Sequence, residues 1–204
     1  ALQAALGDAT GGNDGGDAGV NAFLPNVYYV TSLSDGLSAG IGLDAPYGLA
    51  VEYDDGWVGR YHALKTELRT LNINPSLAMR ISDLLSVGAG VSYQYADAEM
   101  TSAIDLGNIL AGMPGALDAE GKLTGDDWAW GWNVGVLLTP TESTRVGLSY
   151  RSEIKHELEG DAEFEVPAPA AAIQAAGLFV DTSGKAELNL PDTAALGVYQ
   201  RVGD

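Results

Sequence analysis

Large apolar residues alternate with small or polar residues along several stretches of the chain. From 85 to 96, one set of alternate positions reads Leu, Val, Ala, Val, Tyr, Tyr, and the other reads Ser, Gly, Gly, Ser, Gln, Ala. The stretch 128–138 repeats the pattern, with three tryptophans on its apolar side. Because successive side chains of a β-strand point to opposite faces, each stretch predicts a strand with one apolar and one small or polar face.

The composition of the two faces favours a membrane barrel over a soluble sandwich. The outward face of a soluble sandwich carries charge, whereas here the second face carries mainly glycine and serine. Such a face suits a crowded or water-filled lumen, and the apolar face suits lipid. The sequence contains no apolar run of 18 or more residues, so we expect no membrane-spanning helix. We therefore expect an all-β fold that forms part of an antiparallel transmembrane β-barrel.

The alternation and the turn residues between stretches predict one partial barrel over 1–204. We place its strands at about 22–32, 36–53, 60–81, 85–100, 126–139, 143–160 and 184–201. The connections at 33–35, 82–84 and 140–142 are short, whereas those at about 101–125 and 161–183 are long, and the glycine-rich stretch 1–21 is expected to be an extracellular loop. Short turns at one rim and long loops at the other are typical of bacterial outer-membrane barrels, whose short turns face the periplasm.

Charge and motif content exclude several functions. The formal net charge is −18 with only 10 Lys and Arg residues, so a nucleic-acid partner is not expected. The sequence has no Cys, and its two histidines, His62 and His156, lack a partner at metal-binding spacing. The one stretch of the form G-x-S-x-G, Gly36-Leu37-Ser38-Ala39-Gly40, falls within the predicted strand 36–53 and not at a strand-to-helix turn, so it does not indicate a catalytic serine. We therefore expect no catalytic residues, no metal site and no cofactor, and we predict that the chain is not an enzyme.

The two long loops contain apolar residues that need an explanation. In the first loop their spacing of three and four predicts a short amphipathic helix. The candidates for an apolar substrate groove are Ile104, Leu106, Ile109, Leu110 and Met113 in the first loop and Ile173, Leu178 and Phe179 in the second. Two interpretations stay open: the residues pack only against the neighbouring loop, or they line a groove that captures an apolar ligand at the cell exterior.

Several short motifs follow one another in an order that is specific as a series. They include Phe23-Leu24-Pro25-Asn26, Ala45-Pro46-Tyr47-Gly48-Leu49, Gly59-Arg60-Tyr61, Gly131-Trp132-Asn133-Val134-Gly135 and Tyr150-Arg151-Ser152-Glu153-Ile154-Lys155. This series resembles the family of outer-membrane long-chain fatty acid transporters, which also includes importers of aromatic hydrocarbons. The resemblance covers about 22–204.

The resemblance implies a barrel of about fourteen antiparallel strands in the outer membrane of Gram-negative bacteria. From the spacing of the apolar residues, we also expect short helices in its long extracellular loops. The chain would supply about seven of those strands, as a central piece without the N-terminal hatch or the C-terminal strands. The partners implied are a long-chain fatty acid or another hydrophobic small molecule, together with outer-membrane lipid and lipopolysaccharide.

The family resemblance also implies that the ligand leaves sideways, through a gap where one strand kinks inward. The corresponding residues here are Ala45, Pro46, Tyr47 and Gly48. Local chemistry agrees, because proline has no amide hydrogen for the ladder and glycine tolerates a bulge. The alternative is that these residues only end one strand and begin an ordinary loop.

Arg151 and Lys155 are candidates for polar recognition in the lumen, because alternation along 143–160 places both opposite the apolar face. An ion pair with Glu153 is the alternative role. Segment 99–103 lacks the basic residue that a fatty acid transporter of this family carries there. An aromatic hydrocarbon importer, or a surface adhesin that transports nothing, therefore stays open as an alternative.

Overall fold

The computed structural model describes residues 11–202 and consists mainly of antiparallel β-strands. The strands are β1 (Asn26–Ser34), β2 (Leu37–Asp44), β3 (Gly48–Glu52), β4 (Lys65–Arg80), β5 (Leu85–Asp105), β6 (Asp118–Thr141), β7 (Thr144–Arg151), β8 (Ile154–Glu165), β9 (Thr182–Leu190) and β10 (Thr193–Gln200). Two short helices, α1 (Leu106–Ala111) and α2 (Ala171–Ala175), lie in the long loops, with a 3₁₀ turn at Ala168–Ala170 before α2. This architecture confirms the predicted all-β class. Within the described range, no helix has the length and apolar content needed to span a membrane.

The strand segments align into seven long strands. β2 and β3 pair with successive parts of β4, and β7 and β8 pair with successive parts of β6. β10 and β9 continue the sheet in the same way, against β7 and β8. The sheet runs β1–β2–β4–β5–β6–β7–β10 and is open, with β1 at one edge and β9 and β10 at the other within the described residues.

The exposed and buried faces of the sheet are the reverse of those of a soluble protein. Trp130 is 66% exposed, and the ring of Tyr93 lies 4.3 Å from it, centroid to centroid. On the opposite, concave face, Asn72, Ser92 and Gln94 are fully buried. An apolar convex face and a polar concave face fit lipid outside and a lumen inside.

The apolar outer positions of β6 run from Trp128 to Leu138. Ten residues at about 3.3 Å each and a tilt of about 40° rise about 25 Å, which matches the apolar band of an outer-membrane barrel. Directly beyond Trp128, toward the long loops, the outer positions become charged, beginning with Asp126 on β6 and its cross-strand partner Asp97 on β5. The aromatic residues at this level therefore mark the membrane interface.

The strands continue past that interface, and this differs from the predicted loop boundaries. β5 extends to Asp105 and β6 begins at Asp118, so the first long loop is 106–117 rather than 101–125. The second long loop is 166–181 rather than 161–183. Above the membrane, the outer positions of the strands carry charged instead of apolar side chains. The alternation that predicts lipid-facing strands therefore ends before the hydrogen-bonded pairing of β5 and β6 does.

The segment before β1 is ordered along β3. The backbones of Asn13 and Trp57 form an isolated parallel bridge, and those of Gly19 and Val51 form an antiparallel one. Residues 11–20 of the predicted loop therefore run beside β3 and the connection that follows it. Residues 1–10 of that predicted loop lie outside the described residues.

Candidate functional site

The first long loop is folded compactly around α1. The carboxylate of Asp105 accepts hydrogen bonds from the backbone N–H groups of Asn108 at 2.9 Å and Gly115 at 3.1 Å. Gly112, with φ of 64°, ends the helix in the left-handed conformation that glycine adopts without strain. An N-cap and a glycine C-cap thus define a helix of only six residues.

The predicted groove residues, which lie in the two long loops except for Ile104 at the end of β5, divide into a buried set and an exposed set. Leu106 is fully buried and Ile173 nearly so, in one cluster with Ala119 and Ala170. The side chains of Ile104 and Phe179 pack against this cluster. The other four predicted groove residues are 54–61% exposed: Ile109, Leu110, Met113 and Leu178. Half of the predicted set therefore joins the loops together, and the other half forms an apolar surface above them.

A polar clamp ties the base of the first loop to the β3–β4 connection. The Arg60 guanidinium donates from Nε to the Asp118 carboxylate at 2.7 Å, and from Nη1 to the Gly11 carbonyl at 3.0 Å. The Tyr61 hydroxyl donates to the same carboxylate at 2.8 Å. Burial, followed by the hydrogen bond to Asp118, raises the pKa of Tyr61 to about 12. No role was predicted from the sequence for the Gly59-Arg60-Tyr61 motif.

The wall of the sheet is interrupted between β2 and β3. Ala45–Tyr47 belong to no ladder, and the Tyr47 backbone bonds instead to the Thr70 hydroxyl, which accepts from its N–H at 3.0 Å and donates to its carbonyl at 2.6 Å. β1 pairs with β2 only as far as Asp44. We call the resulting gap, between segment 20–25 and segment 45–50, the window.

The window contains a pocket of about 690 Å³. Leu24, Leu49 and Leu71 are among its lining residues, and all three side chains are exposed. Pro46 lies at the centre of the break. Because proline has no N–H to donate, it would leave a hydrogen bond unmade if the ladder continued through this position. Glu67 and Arg69 also line the pocket, so the window is a mostly apolar opening with charged side chains on its β4 side, at a break in the regular ladder.

Arg151 lies on the concave face, where a guanidinium nitrogen is 3.9 Å from an Asp44 carboxylate oxygen. The structure places Lys155 on the opposite face, contrary to the prediction. The break at Ser152–Glu153 between β7 and β8 shifts the alternation by one residue, so that His156 is buried and Lys155 is exposed beside Glu153.

His156 is buried on the concave face, between Asp127 and Gln94. Its Nδ1 lies 3.1 Å from a carboxylate oxygen of Asp127, and its Nε2 lies 3.3 Å from the side-chain oxygen of Gln94. No chemistry was predicted from the sequence for His156, and no local motif marks it. Over residues 11–202, no three His, Asp or Glu side chains converge as a metal site would require.

Comparisons with known proteins give consistent matches over most of the chain. A family model described as "Outer membrane protein transport protein (OMPP1/FadL/TodX)" matches residues 2–204. A long-chain fatty acid transport protein of Escherichia coli O6:H1 is 33% identical over 202 residues, which cover 89% of this chain and 45% of that protein. The chain thus spans about half the length of the curated relatives it matches.

Two solved structures share the fold. The crystal structure of a Pseudomonas aeruginosa FadL homologue superposes with a TM-score of 0.84 at 26% identity, covering 95% of this chain and 48% of that one. The Ralstonia pickettii toluene transporter TbuX superposes with a TM-score of 0.65 at 19% identity, covering 88% of this chain and 51% of that one. The second likeness concerns the fold alone.

Proposed function

Because the chain belongs to the OMPP1/FadL/TodX family of outer-membrane transport proteins, we propose that it serves uptake of long-chain fatty acids or similar hydrophobic compounds into the outer membrane. Family membership confirms the sequence predictions of an outer-membrane location in Gram-negative bacteria and of a transport protein rather than an enzyme. The identity of the ligand and its route are the proposal.

The window is the observation that carries the route. A closed barrel wall would separate a lumenal ligand from lipid, because every strand would be paired on both sides. Here the edge of β3 is bonded, within the described residues, only near Gly19 and Val51, and apolar side chains line the opening. A hydrophobic ligand leaves the lumen through this window and enters the bilayer without crossing the aqueous periplasm.

The exposed apolar surface above the long loops is the capture site in this proposal. Ile109, Leu110, Met113 and Leu178 present flexible or branched side chains to solvent. Each ligand methylene buried there contributes about 0.8 kcal/mol without requiring one orientation. Ile104, Leu106, Ile173 and Phe179 hold the two loops together beneath that surface. Capture is therefore expected to tolerate a range of chain lengths.

Polar recognition rests on Arg151 in the lumen, since Lys155 lies on the outer face. Lys155 and the charged side chains beyond the aromatic interface contact lipopolysaccharide in this proposal, and the apolar convex face contacts the lipid chains. Arg151 already faces Asp44, so a carboxylate ligand would have to compete with that residue for the guanidinium.

One observation favours an uncharged aromatic hydrocarbon as a second candidate ligand. Neither 106–117 nor 166–181 contains a Lys or Arg residue. The capture surface therefore offers no cationic side chain of its own loops to a carboxylate. A purely adhesive barrel is disfavoured, because an adhesin has no use for an opening in its wall.

Restoring regular pairing at the window tests the route. In the complete protein, the double variant Pro46→Val, Gly48→Val returns an amide hydrogen and two β-branched residues to the break. A Cβ at Gly48 would make only ordinary contacts, at 3.7 Å from the Leu68 carbonyl oxygen and 3.8 Å from Leu24 Cδ2. Cells without their own fatty acid transporter should bind a labelled long-chain fatty acid normally but lose its uptake.

The matched control is Pro75→Val, which removes a proline from β4, away from the break. It should leave uptake unchanged. Normal uptake in a folded double variant would refute lateral exit. Loss of surface binding as well as uptake would show that the double variant disturbs capture instead.

A further inference from the structure

Three interruptions of the strands meet on the concave side of the sheet. The first is the window break at Ala45–Tyr47, the second is Ser152–Glu153 between β7 and β8, and the third is Pro191–Asp192 between β9 and β10. The second and third lie side by side, because Ile154 pairs with Leu190 just beyond them. The window break faces this pair across the concave side of the sheet.

The Tyr47 side chain joins the two sides. Its hydroxyl donates a hydrogen bond to the Pro191 carbonyl at 3.1 Å, although 144 residues separate the two in sequence. Its ring packs against a cluster whose buried members are Ala129, Ile154 and Leu190. The break at Pro191–Asp192 matters here, because a carbonyl engaged in a ladder would be less available to accept this bond.

Tyr47 is fixed at both ends. Thr70 holds its backbone through two hydrogen bonds, and Pro191 holds its hydroxyl. A rotation of the ring away from the cluster would break the bond to Pro191 and expose apolar surface. The ring is therefore a built part of the inner wall and not a loosely placed side chain.

Tyr47 also lines the window pocket, whereas Ile154 and Leu190 do not. The ring thus separates the window from the apolar cluster in the interior. We propose that Tyr47 is a specificity-determining residue: its anchored ring sets the width of the inner mouth of the window and admits slim apolar chains while rejecting bulky ones. This inference rests on the proposed lateral exit.

The chemistry of the mouth defines the preferred ligand class. The Tyr47 ring closes the mouth against an apolar cluster that includes Ile154 and Leu190, so a linear alkyl chain needs only a small displacement of the ring to pass by apolar contact. A branched or ring-bearing chain requires a larger displacement of the Tyr47 ring, which costs the hydrogen bond to Pro191. Discrimination by shape is therefore expected even between ligands of equal hydrophobicity.

The test compares two labelled ligands in the complete protein: a linear long-chain fatty acid and an isomeric fatty acid with a bulky branch. The variants are Tyr47→Phe, which keeps the ring and removes the anchor, and Tyr47→Ala, which removes both. The matched control is Tyr29→Phe on the exposed outer face of β1. Uptake is normalised to folded surface barrel, measured by heat-modifiable gel mobility.

Removing a side chain of this size from an apolar passage should raise the ratio of branched to linear uptake about tenfold in Tyr47→Ala. Tyr47→Phe should raise it less, and the control should not change it. An unchanged ratio in Tyr47→Phe and Tyr47→Ala overturns the inference, and Tyr47→Phe alone decides if the alanine variant does not fold.

The window-closing variant Pro46→Val, Gly48→Val separates this inference from the proposal beneath it. If that variant loses uptake and the Tyr47 ratio is unchanged, only the role of Tyr47 falls. If that variant keeps full uptake, lateral exit falls, and the role of Tyr47 as its inner mouth falls with it.

Discussion

The two leucines of α1 separate the stability of the capture loop from its affinity for ligand. Leu106 is fully buried in the cluster between the loops, whereas Leu110, one helical turn later, is 54% exposed. Leu106→Ala leaves a cavity in that cluster and should cost about 2–5 kcal/mol of local loop stability. Leu110→Ala leaves no cavity, so its cost to the folded loop should be close to zero.

For ligand binding the order of the two variants should be reversed, when binding is measured at a low temperature at which the loop stays folded. Leu110→Ala removes about three carbon atoms from the proposed contact surface, and half of their area is already available to a ligand. A loss of about 1 kcal/mol, or about fivefold in Kd, follows from about 0.8 kcal/mol per buried methylene. Leu106→Ala should bind with a similar Kd wherever the loop remains folded.

Two assays separate these effects. Limited proteolysis of the complete protein in detergent measures opening of 106–117, and fluorescence titration with a long-chain fatty acid probe measures capture. Faster cleavage is expected only for Leu106→Ala, and weaker binding at low temperature only for Leu110→Ala. Weakened binding in Leu106→Ala with an intact loop, or unchanged binding in Leu110→Ala, would refute the division into a buried and an exposed set.

Two further predictions concern other parts of the molecule. Leu148→Arg places a charge on the lipid-facing side of β7, where Leu148 is 55% exposed. This variant should lower the free energy of unfolding in bilayers by about 2–4 kcal/mol. Ser149→Arg on the concave face is the matched control, and an equal loss of stability in both variants would contradict the assignment of faces. The stability that the clamp gives to the first loop should depend on pH. The pKa of Tyr61 is about 12 in the closed clamp against an ordinary value of 10.0, so Tyr61 loses its proton at a lower pH when the clamp is open. The stabilisation is therefore complete below pH 10 and declines as the pH rises toward 12. Proteolysis of the first loop as a function of pH measures this, Tyr61→Phe should abolish the step, and an identical pH profile in that variant would contradict it.

The sequence predicted what depends on local rules. Alternation along 85–96 assigned both faces of β5, because its apolar positions lie within the bilayer and its polar positions line the lumen. Pro46 marked the strand break, because a missing amide hydrogen acts locally. Seven of the eight groove candidates lie in the two long loops and Ile104 lies at the end of β5. Their division into buried and exposed sets depends on how one loop rotates against the other, which no local pattern encodes.

Other features escaped because they arise from contacts distant in sequence. Ser152–Glu153 contains neither proline nor glycine, so the break there was not predicted, and the orientation of Lys155 was predicted incorrectly as a result. Pro191 did carry a warning, yet its segment reads as one alternating strand from 184 to 201. The clamp between Arg60 and Asp118 joins residues 58 apart in sequence and follows from no spacing rule.

The height of the window determines where a released molecule would arrive. Leu71, in the window lining, pairs with Tyr95, and Tyr95 pairs with Trp128 at the end of the apolar band. The opening therefore lies level with the aromatic residues, near the boundary between headgroups and acyl chains of the outer leaflet. An amphipathic molecule leaving there would insert its tail first and keep its polar end in contact with water, so it would need neither to desolvate a carboxylate nor to turn over within the leaflet. Delivery at this depth gives the molecule its final orientation in the membrane at the moment of release.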